Sequence, residues 1–224
     1  MNHQVMSKES KNLVKTASEE DQNKNIQNYY KLQSKIYDAT RWTFLFGRKK
    51  LVRVLPFDKD AAIDILEIGC GTGYNLKRLA KAFPNARITG LDVSEDMIRL
   101  SKKQCQAFGD RVKYLQQPYG PSQPPMPGKY DAILFSYSLT MINPHWEDLI
   151  RHAEKDLKPD GVVGLADFHN SRFHWFKKHM SNHHVRMDGH LLKLMKELYE
   201  PIVEEVNPAY GGVWEYVVFV GKKA

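Results

Sequence analysis

The feature that most constrains this chain is Leu66-Glu67-Ile68-Gly69-Cys70-Gly71-Thr72-Gly73-Tyr74, an apolar run that ends in three alternating glycines. Glycine lets the backbone turn sharply and approach a ligand that a Cβ would block. The residues before it, DILEIG, read as a buried strand. After it, Leu76, Leu79, Ala80 and Phe83 recur at i, i+3, i+4 and i+7, one face of a helix that Pro84-Asn85 stops. A dinucleotide fingerprint requires G-x-G-x-x-G/A. Here the third glycine falls one residue early, and Tyr74 stands where a pyrophosphate needs room. Glu67 gains nothing from a diphosphate and suits a ligand with a positive end. Asp92 closes the next strand, ARITGLD, where an acidic side chain accepts hydrogen bonds from ribose hydroxyls.

The strand–helix alternation continues. Ser94 is the expected N-cap of EDMIRLSKKQCQAF, which Gly109 ends, and RVKYLQQ is a third strand. Residues 118–129 hold five of the eleven prolines and read as an irregular surface loop. YDAILFS is the fourth strand. Asn143-Pro144 reads as a cap and first-turn proline for a helix faced by Trp146, Leu149, Ile150, Ala153 and Leu157. Lys158-Pro159-Asp160-Gly161 turns into the fifth strand, VVGLADF. IVEEV, a turn at 207–212 and VWEYVVFVGKK form a terminal antiparallel pair. The expected organisation is a disordered tail at 1–25, a helical, aromatic-basic lid at 26–57, and a domain at 58–224 with a helical insertion at about 168–200.

At 224 residues the chain suits one good-sized domain plus a tail or insertion. Its two cysteines, Cys70 and Cys105, form neither a disulfide framework nor a C-x-x-C pair, which suits a reducing compartment. Residues 1–25 lack the apolar core of a signal peptide. The longest near-apolar stretch, 131–142, falls short of the roughly 20 residues of a membrane span. A cytoplasmic protein is expected, at most peripheral on the inner face of the cell membrane. The net charge of +7 favours acidic partners.

LEIGCGTGYN followed by LDVSEDMI resembles the first two motifs of the class I S-adenosylmethionine-dependent methyltransferases, over about residues 60–224. The resemblance implies an α/β, Rossmann-like fold: a seven-stranded, mostly parallel sheet with an antiparallel C-terminal strand and an N-terminal helical lid. It implies S-adenosyl-L-methionine as cofactor and S-adenosyl-L-homocysteine as product. By the same likeness Gly69, Gly71 and Gly73 line the amino-acid end of the cofactor, with Glu67, Cys70 and Asn75 beside them. Asp92 holds the ribose, Val93 and Met97 flank the adenine, and Gln117 takes the place of an acid that meets the adenine amino group. Tyr37, Arg41 and Ser136 complete the implied set. YYKLQSKIYDATRWTFLFGR at 29–48, FSYSLTMI at 135–142 and HHV at 183–185 are similar to bacterial betaine-lipid N-methyltransferases, related in activity to phosphatidylethanolamine N-methyltransferases. That likeness implies an amine acceptor on a lipid headgroup, diacylglycerylhomoserine or phosphatidylethanolamine.

Such chemistry needs a neutral amine held in line with the methyl group and a route for its proton. Tyr137, His184 and Asp167, at or beyond the ends of the fourth and fifth strands, are the catalytic candidates. Aromatic faces attract the cations that accumulate, and Tyr37, Trp42, Tyr137, Tyr210 and Trp214 are candidate walls. Residues 31–53 carry Lys31, Lys35, Arg41, Arg48, Lys49, Lys50 and Arg53 against one acid, Asp38, interleaved with large apolar residues. That pattern suits an anionic membrane interface, or a lid whose charges are solvated. No nucleic-acid motif is present. Eight of the nine histidines fall between His145 and His190, with no H-E-x-x-H pattern, so no metal is expected. The alternatives are a methyltransferase of a small soluble acidic or amine metabolite, and a non-catalytic S-adenosylmethionine-binding protein.

Overall fold

A computed structural model describes residues 44–142, 145–182 and 185–223. Its strands are β1 (Asp64–Ile68), β2 (Arg87–Asp92), β3 (Val112–Gln116), β4 (Tyr130–Ser136), β5 (Leu157–Asn170), β6 (Tyr199–Ala209) and β7 (Trp214–Lys223). They form a seven-stranded sheet in the order β3-β2-β1-β4-β5-β7-β6. Strands β1 to β5 pair in parallel. β7 runs antiparallel to both its neighbours, β5 and β6. This is the seven-stranded, mostly parallel α/β architecture expected from the sequence. The strand order reverses between β1 and β4, which opens a crevice at their carboxyl ends.

The helices are α1 (Arg48–Arg53), α2 (Tyr74–Ala82), α3 (Glu95–Cys105), α4 (Trp146–Asp156), α5 (His174–Asn182) and α6 (His190–Leu198). α2 buries Leu76, Leu79 and Ala80, the face its periodicity predicts. Gly90 of β2 permits this approach, since a Cβ there would stand 2.5 Å from Leu76 Cδ1. Leu51 of α1 lies over Gly164 in the same way, 3.1 Å from where its Cβ would be. Trp146, Leu149 and Ile150 of α4 and Leu191, Leu194 and Met195 of α6 join Leu66, Ile68, Phe135, Leu165 and Phe219 in one apolar cluster. Fully burying a side chain of this size contributes roughly 1.5–3 kcal/mol.

A parallel crossover usually contains a helix. Residues 117–129, which link β3 to β4, are irregular instead. Asp156, fully buried at the end of α4, anchors them by accepting from Tyr119 Oη at 2.8 Å and Met126 N at 2.5 Å.

Several boundaries shift. The helix after Ser94 ends at Cys105, and a 3₁₀ segment at Gln106–Arg111 carries the chain across Gly109. Leu157 begins β5 rather than completing the α4 stripe, and Lys158–Gly161 bulge out between the Tyr130–Leu157 and Ala132–Val162 pairs. β6 runs on through Ala209, so the hairpin turns at Tyr210–Gly212. Asn143-Pro144 and residues 1–43 lie outside the described residues, and with them the tail and most of the lid. The described part of the basic segment is used within the fold. Leu51 and Val52 are buried, the Arg48 guanidinium lies 3.9 Å from the Tyr74 ring centre, and Lys50 pairs with Glu205. The apolar side of 48–53 thus faces the core, while Lys49 and Arg53 remain exposed.

Candidate active site

The glycine turn is fixed by the end of β2. Gly69 N and Cys70 N both donate to Leu91 O, at 2.8 and 3.0 Å, and Gly71 N donates to Asp92 Oδ2 at 2.9 Å. Gly69, Gly71 and Gly73 have φ of 71°, 53° and 82°, the left-handed region in which L side chains are strained. Space is equally restrictive. A Cβ on Gly69 would lie 2.9 Å from Ser138 Cβ, and one on Gly73 would lie 3.1 Å from Ser101 Cα.

Two carboxylates face this turn. Glu67 is buried at the end of β1 and accepts from Asn75 Nδ2 at 2.7 Å, within the first turn of α2. Asp92 accepts from Gly71 N through Oδ2 and from Ser94 N at 3.0 Å through Oδ1. Each carboxylate oxygen has a second lone pair, so Asp92 retains acceptor capacity for a diol. Val93 is exposed and Met97 half-buried on the helix that Ser94 caps, its Oγ accepting from Met97 N at 3.4 Å. Gln117, half-buried, follows β3. The Cys70 thiol is buried, and burial together with the Glu67 and Asp92 charges raises its pKa, so it stays protonated and inert.

At the end of β4, Ser136 and Ser138 are buried, Ser138 beside Gly69, with Tyr137 between them in the left-handed region at φ 55°. The Tyr137 hydroxyl donates to Phe46 O at 2.9 Å, and its ring meets Phe168 edge-on at 4.8 Å. Burial and the Asp167 charge raise its pKa well above the usual phenol value. Asp167, fully buried near the end of β5, accepts from Leu139 N, Thr140 N, Thr140 Oγ1 and Phe168 N. Burial raises its pKa to about 6, against the pull of those four bonds.

Both side chains are committed to the fold. Tyr137 and Asp167, the catalytic candidates among the described residues, thus stand at the ends of β4 and β5 with their polar atoms hydrogen-bonded within the chain. His184, Tyr37 and Arg41 lie outside the described residues.

Sequence reasoning missed Ser138, Thr140, Phe46 and His169. His169 lies in the register break between Phe168 and Asn170, a bulge of the kind that re-aims a side chain. Its ring lies against Gly189, whose N–H donates to His169 O at 2.8 Å. Burial lowers its pKa, with the Glu215 charge opposing, so the imidazole is neutral at pH 7. Farther out, Phe46 meets Tyr210 and Trp214 edge-on at 5.5 and 5.7 Å and stacks on Tyr216 at 5.8 Å. Of the expected aromatic walls, Trp214 is fully buried and Tyr210 half-exposed, while Trp42 and Tyr37 lie outside the described residues.

Residues 65–161 match a family model described as a methyltransferase domain. The chain is 28% identical over 151 residues to a malonyl-[acyl-carrier protein] O-methyltransferase of Acetivibrio thermocellus, a match that covers 66% of this chain and 50% of that protein. It is 37% identical over 111 residues to the Priestia megaterium protein of the same name, covering 50% of this chain and 39% of that one. The chain thus spans half or less of the length of these relatives. Among solved structures it resembles the Burkholderia thailandensis 1,6-didemethyltoxoflavin-N1-methyltransferase, determined with S-adenosylhomocysteine. The TM-score is 0.66 at 16% identity, over 100% of this chain and 93% of that one. A geranyl diphosphate C-methyltransferase from Streptomyces coelicolor gives 0.64 at 13% identity, over 80% of each chain. The chain therefore has the seven-stranded Rossmann-like fold of these methyltransferase structures, and its residues 65–161 match a methyltransferase domain.

Proposed function

We propose that the protein transfers the methyl group of S-adenosylmethionine to an amine nitrogen carried on a lipid headgroup. The observation that carries the donor half is the glycine turn held between two carboxylates, Glu67 and Asp92. The surrounding residues fit that cofactor. Asn75 Oδ1, Ser136 Oγ and Ser138 Oγ are buried with no hydrogen-bond partner among the described residues. Each such orphan costs about 1–3 kcal/mol until a ligand or water satisfies it. Gly69, Cys70, Gly71, Gly73 and Asn75 would hold the amino-acid end, Asp92 the ribose hydroxyls, and Val93, Met97 and Gln117 the adenine.

When bound, the cofactor supplies an electrophilic methyl group on a sulfonium. The chain's own contribution is to hold the acceptor in line and dry, and positioning of this kind can lower a barrier by roughly 7–11 kcal/mol. Asp167 fixes the Leu139–Met141 turn, and Tyr137 ties the end of β4 to Phe46. An attacking amine must be neutral, and the neutral imidazole of His169 stands at this end of the sheet. The aromatic faces of Phe46, Tyr210 and Tyr216 suit the ammonium that forms, each attracting it by about 0.5–2 kcal/mol.

A second reading has its own support: relatives at 28–37% identity are named O-methyltransferases of an acyl-carrier-bound acid, and another, at 31%, trans-aconitate 2-methyltransferase. In that reading the acceptor is a carboxylate. Labelled S-adenosylmethionine offered with phosphatidylethanolamine or diacylglycerylhomoserine vesicles, and separately with malonyl thioesters and tricarboxylates, distinguishes the two. Label in the lipid headgroup supports the first. Label only in an ester overturns it.

A further inference from the structure

We infer that α5 (His174–Asn182) is a docking face for an anionic lipid bilayer, set at the mouth of the candidate active site. Trp175 is 64% exposed, high for the largest apolar side chain in the repertoire. The helix is anchored on its inner side, where Phe176 is buried and Phe173, Lys177 and Met180 are half-buried. Trp175, Lys178 and Asn182, at i, i+3 and i+7, share the exposed side. Arg172, exposed just before the helix, stacks on the Phe173 ring at 4.8 Å. An indole outside the core, on a helix that also exposes Lys178, suits the headgroup level of a bilayer, where its amphipathic ring settles.

Charge selects the kind of surface. Between Asp167 and Asp188 the chain has no acidic residue, while Arg172, Lys177, Lys178 and Arg186 add positive charge. Such a run is drawn to an anionic surface and gains little from a neutral one. A single-stranded nucleic acid would need successive stacking platforms along a groove, and α5 offers one open indole.

The chain path ties this face to the site. α5 begins four residues beyond the end of β5. Val185 N donates to Met180 O at 3.0 Å as the chain leaves the helix, and Arg186 N donates to Thr140 O at 3.2 Å, within the turn that Asp167 fixes. A bilayer touching Trp175 would therefore present headgroups beside the ends of β4 and β5. The inference deepens the lipid-acceptor reading by naming the element that meets the lipid.

The test is co-sedimentation of the full chain with phosphatidylglycerol-containing and pure phosphatidylcholine vesicles, with no methyl donor present, so its outcome is separate from any failure of catalysis. Wild type should bind the anionic vesicles, and Trp175→Ala and Lys177→Glu/Lys178→Glu should each weaken that binding about tenfold. Spin-labelled lipid should quench a fluorescence component that Trp175→Phe removes, and this readout needs no destabilising variant. Equal vesicle binding by wild type and variants, binding indifferent to lipid charge, or binding to oligonucleotides with none to vesicles would each overturn the inference.

Discussion

Thr140 Oγ1 donates to Asp167 Oδ1 at 2.5 Å, joining the turn after β4 to the end of β5 through a carboxylate that water does not reach. The same carboxylate also accepts from Leu139 N, Thr140 N and Phe168 N, so it fixes the start of the turn after β4. The arrangement also gives the protein an unusual response to acid.

The folded protein holds the Asp167 proton up to about pH 6, whereas the carboxyl ordinarily gives it up at 3.8. Between those values unfolding releases a proton, so this group's contribution to stability falls as pH rises, opposite to that of a salt-bridged carboxylate. Urea denaturation at pH 4.5 and 6.5 should show the loss, and Asp167→Asn should flatten that slope by about 1–3 kcal/mol.

Gly69→Ala puts a methyl group into a left-handed residue and within 2.9 Å of Ser138 Cβ. S-adenosylhomocysteine affinity, measured by calorimetry, should fall at least about tenfold, with the fold kept at a cost of about 1–3 kcal/mol.

Asp92→Ala removes the acceptor for Gly71 N and Ser94 N, and with it the candidate ribose partner. Hydrogen bonds to charged groups contribute about 1.5–3 kcal/mol each, so affinity for S-adenosylhomocysteine should drop about tenfold to a hundredfold. An unchanged affinity would remove Asp92 from the cofactor site.

Asp156→Ala should free the proline-rich link without touching the glycine turn. Loss of the Tyr119 and Met126 bonds should cost about 2–4 kcal/mol, and limited proteolysis should then cut within 118–129. S-adenosylhomocysteine binding should survive at a temperature where the variant remains folded.

The glycine turn and its two carboxylates were legible in the sequence because their determinants are local. Three glycines, a carboxylate before them and Asp92 at the end of the next strand lie within 26 residues, and their conformational needs are written in residue type. The bonding at the ends of β4 and β5 was not. Asp167 reads as an acid at a strand end, and only its bonds to Thr140, 27 residues away, show that it ties the turn after β4 to β5. Tyr137 finds its acceptor at Phe46, 91 residues earlier. The basic run from Arg48 looked like surface because charge patterning says nothing of where a partner such as Glu205 will come to rest. Trp175 is the converse case, an aromatic at helical spacing that the fold leaves outside.

The position of β7 has a consequence for biogenesis. Its ten residues slot between β5 and β6, both synthesised earlier, and among the described residues β6 has no other neighbour in the sheet. While β7 is still within the ribosome, β6 and the outer flank of β5 offer bare backbone to any passing chain. This half of the sheet must therefore close after translation has passed Trp214, and it is the half that holdase chaperones would be needed to shield.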